Sequence, residues 1–161
     1  MKKSLIYTAI GAITATFFIP ISYASAKNNN GTFPHIDGNS QFPPTRFSTV
    51  RHTFRVHIPK NSSSVSQLDI EVPNTLTWSN NANDIVVTNE NGKKVNVSIS
   101  TTGKSILIAF AEPVASDTKL EIDIKNVKQP FRGNGPIYNI KAKLAGSSTE
   151  MFIGTARFRI N

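Results

Sequence analysis

The sequence predicts an all-β protein: a single antiparallel, immunoglobulin-like β-sandwich of about eight strands. Three observations carry this. Apolar residues recur at every second position in one run after another. Gly, Pro and Asn clusters separate those runs at regular intervals. No stretch after the first 26 residues shows the 3.6-residue apolar period of an amphipathic helix. Alternation, rather than continuous apolar runs, favours antiparallel sheets with one wet face.

The first run is Val50, His52, Phe54, Val56 and Ile58, facing away from Arg51, Thr53, Arg55 and His57, and it stops at Pro59. Leu68, Ile70 and Val72 alternate with Gln67, Asp69 and Glu71 until Pro73. Leu76 and Trp78 hint at a short strand before the Asn-rich loop Ser79–Asp84. Ile85–Thr88 and Lys94–Ser100 flank Asn89-Glu90-Asn91-Gly92-Lys93, which predicts a hairpin because Asn and Gly accept positive φ cheaply. Ser105–Phe110 follows the turn at Gly103, and Leu120, Ile122 and Ile124 make the next alternating run. After the loop through Pro130 and Gly133-Asn134-Gly135-Pro136, one face holds Tyr138, Ile140, Ala142 and Leu144. The last strand puts Gly154, Ala156, Phe158 and Ile160 on one side. The expected core is Phe54, Val56, Leu68, Ile70, Ile108, Phe110, Leu120, Ile122, Ile140, Phe158 and Ile160.

Residues 1–26 read as a leader outside this fold. Lys2 and Lys3 precede an uncharged stretch from Leu5 to Ile21, and Ala24-Ser25-Ala26 supplies the small residues a signal peptidase reads. The competing reading is an uncleaved anchor, but the apolar run is short for a span of about 20 residues. Cleavage after Ala26 would send the chain to the periplasm or beyond. Residues 27–47, with Asn28-Asn29-Asn30-Gly31, Pro34, Asp37-Gly38 and Pro43-Pro44, follow neither period and read as an irregular arm. Residues 48–161 are the sandwich.

Composition narrows the chemistry. The chain has 161 residues, 39% of them hydrophobic, which suits one domain with its own core. There is no cysteine, so there is no disulfide, zinc-thiolate site, thiol nucleophile or iron–sulfur cluster. Packing alone must hold the fold.

The run Ile106-Leu107-Ile108-Ala109-Phe110-Ala111-Glu112-Pro113-Val114 is followed by Leu120-Glu121-Ile122-Asp123-Ile124. Ile137-Tyr138-Asn139-Ile140 and Phe152 to Ile160 come later, and His52 to Pro59 stands near the start. Together these resemble a family of exported cyanobacterial proteins, the domain of unknown function numbered 2808. The resemblance covers about residues 50–160 and rests on strand patterns and turn prolines. It implies an exported, single-domain protein of cyanobacterial origin and implies no reaction.

Candidate chemistry is sparse. His52 and His57 are five apart on one strand and must point to opposite faces, while His35 lies in the arm within reach of either. These histidines read as structural or solvated, and no metal ligand set is assigned. Asp69 with Glu71 and Glu121 with Asp123 are i,i+2 pairs. Glycosidases use two carboxylates, but on a strand face such pairs are usually the wet side. No serine stands in a nucleophile elbow, and Gly133 and Gly135 open no helix to cradle a phosphate. No catalytic residue and no cofactor is therefore expected. Trp78 beside Ser79-Asn80-Asn81 reads as the sandwich's core tryptophan, with a sugar-stacking platform as the alternative.

Positive charge is the feature left over. With 18 Lys and Arg against 10 Asp and Glu, the formal charge is +8. Arg51, Arg55, Lys141, Lys143, Arg157 and Arg159 all fall on the outward side of their strands. If the first strand lay beside the last two, six cations would share one face. Such a face would suit an anionic polysaccharide, lipid headgroups or an acidic envelope protein. Nucleic acid is not expected, since no basic residues interleave with stacking aromatics in an exported chain. The expected function is a non-enzymatic binding or structural module of the periplasm or cell envelope. The alternative is a periplasmic metal-handling protein, and a small hydrolase stands third.

Overall fold

The computed structural model describes residues 31–44, 48–130 and 133–160. The leader assigned to residues 1–26 lies outside them. Nine strands follow in chain order: β1 (His35–Phe42), β2 (Thr49–Ile58), β3 (Val65–Glu71), β4 (Ile85–Asn89), β5 (Val97–Thr101), β6 (Ser105–Val114), β7 (Thr118–Lys128), β8 (Ile137–Leu144) and β9 (Glu150–Arg157). A single turn of 3₁₀-helix, Ala82–Asp84, is the one helical piece among the described residues. A four-stranded sheet, β1-β2-β7-β4, packs on a five-stranded sheet, β5-β6-β3-β8-β9. All pairings between these strands are antiparallel.

The core follows the alternation. Of the expected core residues, all but Ile160 are buried. Ile160 is half-buried; it lies three residues beyond the end of β9 at Arg157, past the buried Phe158. At one end of the core, aromatic rings lock together. Phe158 stacks on His52 with centroids 3.9 Å apart. It meets Phe54 and Tyr138 edge-on at 5.3 and 5.5 Å. Edge-to-face and stacked pairs of this kind add to the burial of their area.

Three expectations change. The segment read as part of an irregular arm contains β1, a strand paired with β2 along its whole length. Its sequence hid it, because an edge strand with a bulge between Ile36 and Gly38 buries little and needs no apolar alternation. Second, the turn at Asn89–Lys93 forms, with Gly92 at φ 72° and the Asn89 N–H on the Lys93 carbonyl at 2.9 Å. The strands it joins do not pair, however. After one bridge, Thr88 to Lys94, the chain crosses at Asn96 into the other sheet, so the expected hairpin is a corner between layers. Third, Leu76 and Trp78 form no strand; only Thr77 bridges to Lys128.

The loop before β8 is tied to the chain after β9. The Phe158 N–H donates to the Pro136 carbonyl at 3.0 Å. Gly135 sits at φ 78°, and a Cβ there would stand 1.8 Å from the Phe158 carbonyl oxygen. Both the backbone angle and the contact require glycine. Gly135→Ala is expected to cost roughly 3 kcal/mol or more, since neither the strain nor a backbone clash can relax locally. A urea midpoint equal to that of the unaltered protein would contradict this.

Candidate functional site

The sequence expectation of one six-cation face is corrected by the topology. β2 belongs to the four-stranded sheet, while β8 and β9 belong to the five-stranded one. Arg51 and Arg55 therefore lie on the opposite layer from Lys141, Lys143, Arg157 and Arg159. The expected neighbourhood of the last two strands does hold: β8 and β9 pair, with Lys141 opposite Phe152 and Lys143 opposite Glu150. Arg157 falls opposite Ile137, at the other end of the pair, so these cations do not stack.

Acids answer several of the cations across the strands. On the outer face of the four-stranded sheet, Arg51 Nε stands 3.6 Å from Asp123, and Arg55 Nε 3.3 Å from Glu121. Arg51 also lies over the Phe42 ring at 5.6 Å. On the five-stranded sheet Lys141 is paired with Glu71, which also accepts from the Asn139 amide. The Lys141 hydrogen bond holds the Glu71 carboxyl below the usual carboxylate range. Glu71, Glu121 and Asp123 thus serve as partners of cations. Asp69 has no cation this close; burial pushes its carboxyl up, with Glu150 adding to the effect.

Among the described residues, Lys143, Arg157 and Arg159 face no carboxylate within ion-pair distance. Two of them meet in a groove. Arg157 and Arg159 flank the inward-pointing Phe158, so both project outward about 7 Å apart along the chain. β1 comes alongside: the Asn39 amide donates to the Arg157 carbonyl at 2.8 Å, and Ile36 packs over Gly154. The groove between them has a volume of about 410 Å³, and Asn39, Ser40, Gln41, Arg157 and Arg159 line it. Arg157 Nε points to the Asn134 carbonyl at 3.4 Å, which restrains the guanidinium. This site holds two guanidinium groups, two amides and a hydroxyl, with no acid in its lining. A second groove, of about 300 Å³, lies on the four-stranded sheet. There Asp37, Glu90 and Glu121 outnumber Arg55 and Lys119, so it offers an anion no net attraction.

The histidines separate as the alternation requires. His52 is fully buried, its Nδ1 2.8 Å from the Tyr138 hydroxyl. Burial pushes the Tyr138 hydroxyl up and pulls the imidazole down to about 4. The neighbouring Gln129 amide partly offsets the effect on His52, yet neither His52 Nε2 nor Gln129 Oε1 closes a hydrogen bond of good geometry. A tyrosine that keeps its proton can donate to Nδ1, which leaves the ring proton on Nε2. His57 lies on the outer side against His35, their rings 5.0 Å apart. Burial and the His35 charge lower its pKa, against Asp37 and Asp117. Among the described residues, no three His, Asp or Glu side chains converge as a metal site. Trp78 is half-buried against the core rather than enclosed in it, and its Nε1 donates to the Gly103 carbonyl at 3.2 Å.

The contribution of β1 to the groove was not legible in the sequence. Asn39, Ser40 and Gln41 belong to the segment read as irregular, and no period marks them as neighbours of Arg157. Only the Arg157-Phe158-Arg159 alternation pointed to this place.

These features define an immunoglobulin-like, all-antiparallel sandwich module whose exposed chemistry sits on strand faces and at the junction of two sheet edges. The chain belongs to the DUF2808 family, proteins of unknown function; the family model matches residues 34–160. Comparison with curated proteins gives no match. Among solved structures the chain is similar to the N-terminal domain of the Streptococcus gordonii adhesin Sgo0707, at 9% identity and a TM-score of 0.56, covering 80% of this chain and 32% of that one. It is also similar to the pilus backbone protein RrgB of Streptococcus pneumoniae (9% identity, TM-score 0.48, 68% of this chain and 31% of that one). A third is ACE19, the collagen-binding subdomain of an Enterococcus faecalis surface protein (12% identity, TM-score 0.47, 79% and 97%). The chain spans about a third of the length of the first two. At such identities the likeness to the adhesin domain is one of fold.

Proposed function

We propose that this protein is an exported, non-enzymatic binding module of the periplasm or cell envelope, in a cyanobacterial cell, and that it holds an anionic group of an envelope polymer in the β1–β9 groove. The observation that carries this reading is the pairing of Arg157 and Arg159 in an acid-free groove with Asn39 and Gln41 beside them. Guanidinium forks suit carboxylate and sulfate oxygens, and two of them at strand spacing suit successive anionic groups on a chain. The other named cations play a lesser part. Arg51, Arg55 and Lys141 are occupied by acids, and Lys143 stands at the far end of β8. Export rests on the Lys2-Lys3 start, the uncharged run and Ala24-Ser25-Ala26.

Binding to polygalacturonate at low salt tests the reading, with anionic phosphatidylglycerol vesicles as the second arm. Reversing both Arg157 and Arg159 to Glu is expected to weaken polymer binding at least about a hundredfold, the cost of two charge-assisted contacts. Thermal stability is expected to change little, because exposed charges contribute little to folding. Reversing Lys143 to Glu is expected to weaken binding by less than about threefold, and raising salt to physiological strength to weaken it strongly, as the Debye length falls to about 8 Å. Undiminished binding by the double variant, or none by the unaltered protein at low salt, would overturn the proposal. Preference for vesicles over the polymer would reassign the anion to lipid headgroups.

A further inference from the structure

We infer that the free edge of β5 receives an extended peptide with acidic ends as an added strand of the five-stranded sheet. The phase of the β5–β6 ladder is set at its two ends. The Ala111 N–H donates to the Asn96 carbonyl at 3.2 Å, and the Thr102 N–H to the Ser105 carbonyl at 3.1 Å. In an antiparallel ladder the bonded residues alternate. Asn96, Ser98, Ser100 and Thr102 therefore turn their main-chain groups toward β6, and Val97, Ile99 and Thr101 turn theirs away from it. Those three N–H and three C=O groups meet no hydrogen-bond partner among the described residues. The Thr101 hydroxyl donates to the Asn80 carbonyl at 3.1 Å, which fixes that end of the strand.

The remaining edges are partly taken up or irregular. At β4, the Val95 N–H donates to the Val87 carbonyl, and the Asn89 N–H to the Lys93 carbonyl, so the returning chain covers the second half of that edge. At β9, the Arg157 carbonyl accepts from Asn39, and β1 lies alongside. β1 carries its own bulge between Ile36 and Gly38. No proline, no charge and no bulge interrupts Val97-Ser98-Ile99-Ser100-Thr101, and the Ser79–Asp84 loop, which contacts β5, is hydrogen-bonded to it at Thr101. Its inward side chains, Val97 and Ile99, are only half-buried, so an added strand has apolar surface to cover.

Charge selects the occupant. Lys93 and Lys94 precede β5 and Lys104 follows it; all three are exposed, and none lies in an ion pair among the described residues. A peptide whose ends carry carboxylates meets these cations while its centre pairs with Val97 to Thr101. A second copy of the chain fits less well. It would bring the same three lysines to the same edge, with no carboxylate in Val97–Thr101 to answer them. β5 and the Arg157–Arg159 groove lie at opposite edges of the five-stranded sheet, about 19 Å apart across four strand spacings. The two sites can thus be tested separately.

The probe is a synthetic peptide of alternating valine and threonine with two aspartates at each end, titrated into the ¹⁵N-labelled protein at low salt. Amide shifts are expected at Val97, Ile99 and Thr101, with the groove residues unmoved. Replacing the aspartates by lysines is expected to weaken binding at least tenfold. N-methylating alternate amides on the peptide's pairing edge is expected to abolish it. Ile99→Pro removes an N–H that β6 does not use, as edge strands tolerate, and should abolish binding. Reversing the exposed Lys94 and Lys104 to Glu should weaken it at least tenfold and serves if the proline variant fails to fold. The inference is overturned if no β5 amide moves, or if the lysine-ended peptide binds as well as the acidic one. It is also overturned if the N-methylated peptide still binds, or if the protein alone doubles its mass through β5 in a way that Ile99→Pro abolishes, which would make the occupant a second copy.

Discussion

Phe158→Ala is expected to lower the unfolding free energy by about 3–5 kcal/mol, the range for removing a large ring from a well-packed core. Phe158 is 2% exposed and touches three other rings, including the imidazole stacked against it at 3.9 Å. The loss falls where the chain after β9, the loop before β8 and the buried face of β2 meet, so the space left behind has rigid walls on several sides and cannot collapse cheaply. With no disulfide available, a loss of that size is a large part of an ordinary domain's stability. Urea melts measure it; a loss under about 1 kcal/mol would mean that the ring is not packed as described.

The second large effect is a loss of stability in mild acid. His52 titrates near 6.5 when the chain is unfolded and is held at about 4 in the fold, because burial penalises its charged form. Between those values the unfolded state binds the proton and the folded state does not. Stability is therefore intact above about pH 6.5 and falls as pH drops toward 4, by on the order of 3 kcal/mol. His57, also lowered, acts in the same direction. Glu71 and Asp84, held below their ordinary values by hydrogen bonds, lose their contribution only at lower pH, and Asp69, pushed up by burial, works with the opposite sign. Urea midpoints across this range, compared with those of His52→Phe, isolate the effect. The variant is expected to flatten the slope whatever its absolute stability. An equally steep slope in the variant would assign the acid sensitivity elsewhere.

The strands of the core were legible because burial imposes a period of two, and Phe54, Leu68, Ile108, Ile122 and Ile140 all obey it. The same period does not say which sheet a strand joins. β2 and β8 have equally good apolar faces, and only the pairing of Thr53 with Asp123 rather than with a residue of β8 separates Arg51 from Lys141. The ion pairs were hidden for the same reason: Arg55 and Glu121 are 66 positions apart in sequence, and register alone brings them together. β1 was illegible because its stabilisation is main-chain pairing with β2, and its side chains are half-buried and mostly polar. The turn at Gly92 was read correctly as a turn, but local turn chemistry cannot tell a hairpin from a corner between sheets.

The anionic partner is proposed to sit in the β1–β9 groove. ¹H–¹⁵N spectra of the labelled protein titrated with polygalacturonate at low salt test it most directly. Shifts concentrated at Asn39, Ser40, Gln41, Arg157 and Arg159, and absent in the variant with both arginines reversed, are the expected result. Shifts spread evenly over the lysines of both sheets, or centred on Arg51 and Arg55 of the other layer, would contradict it.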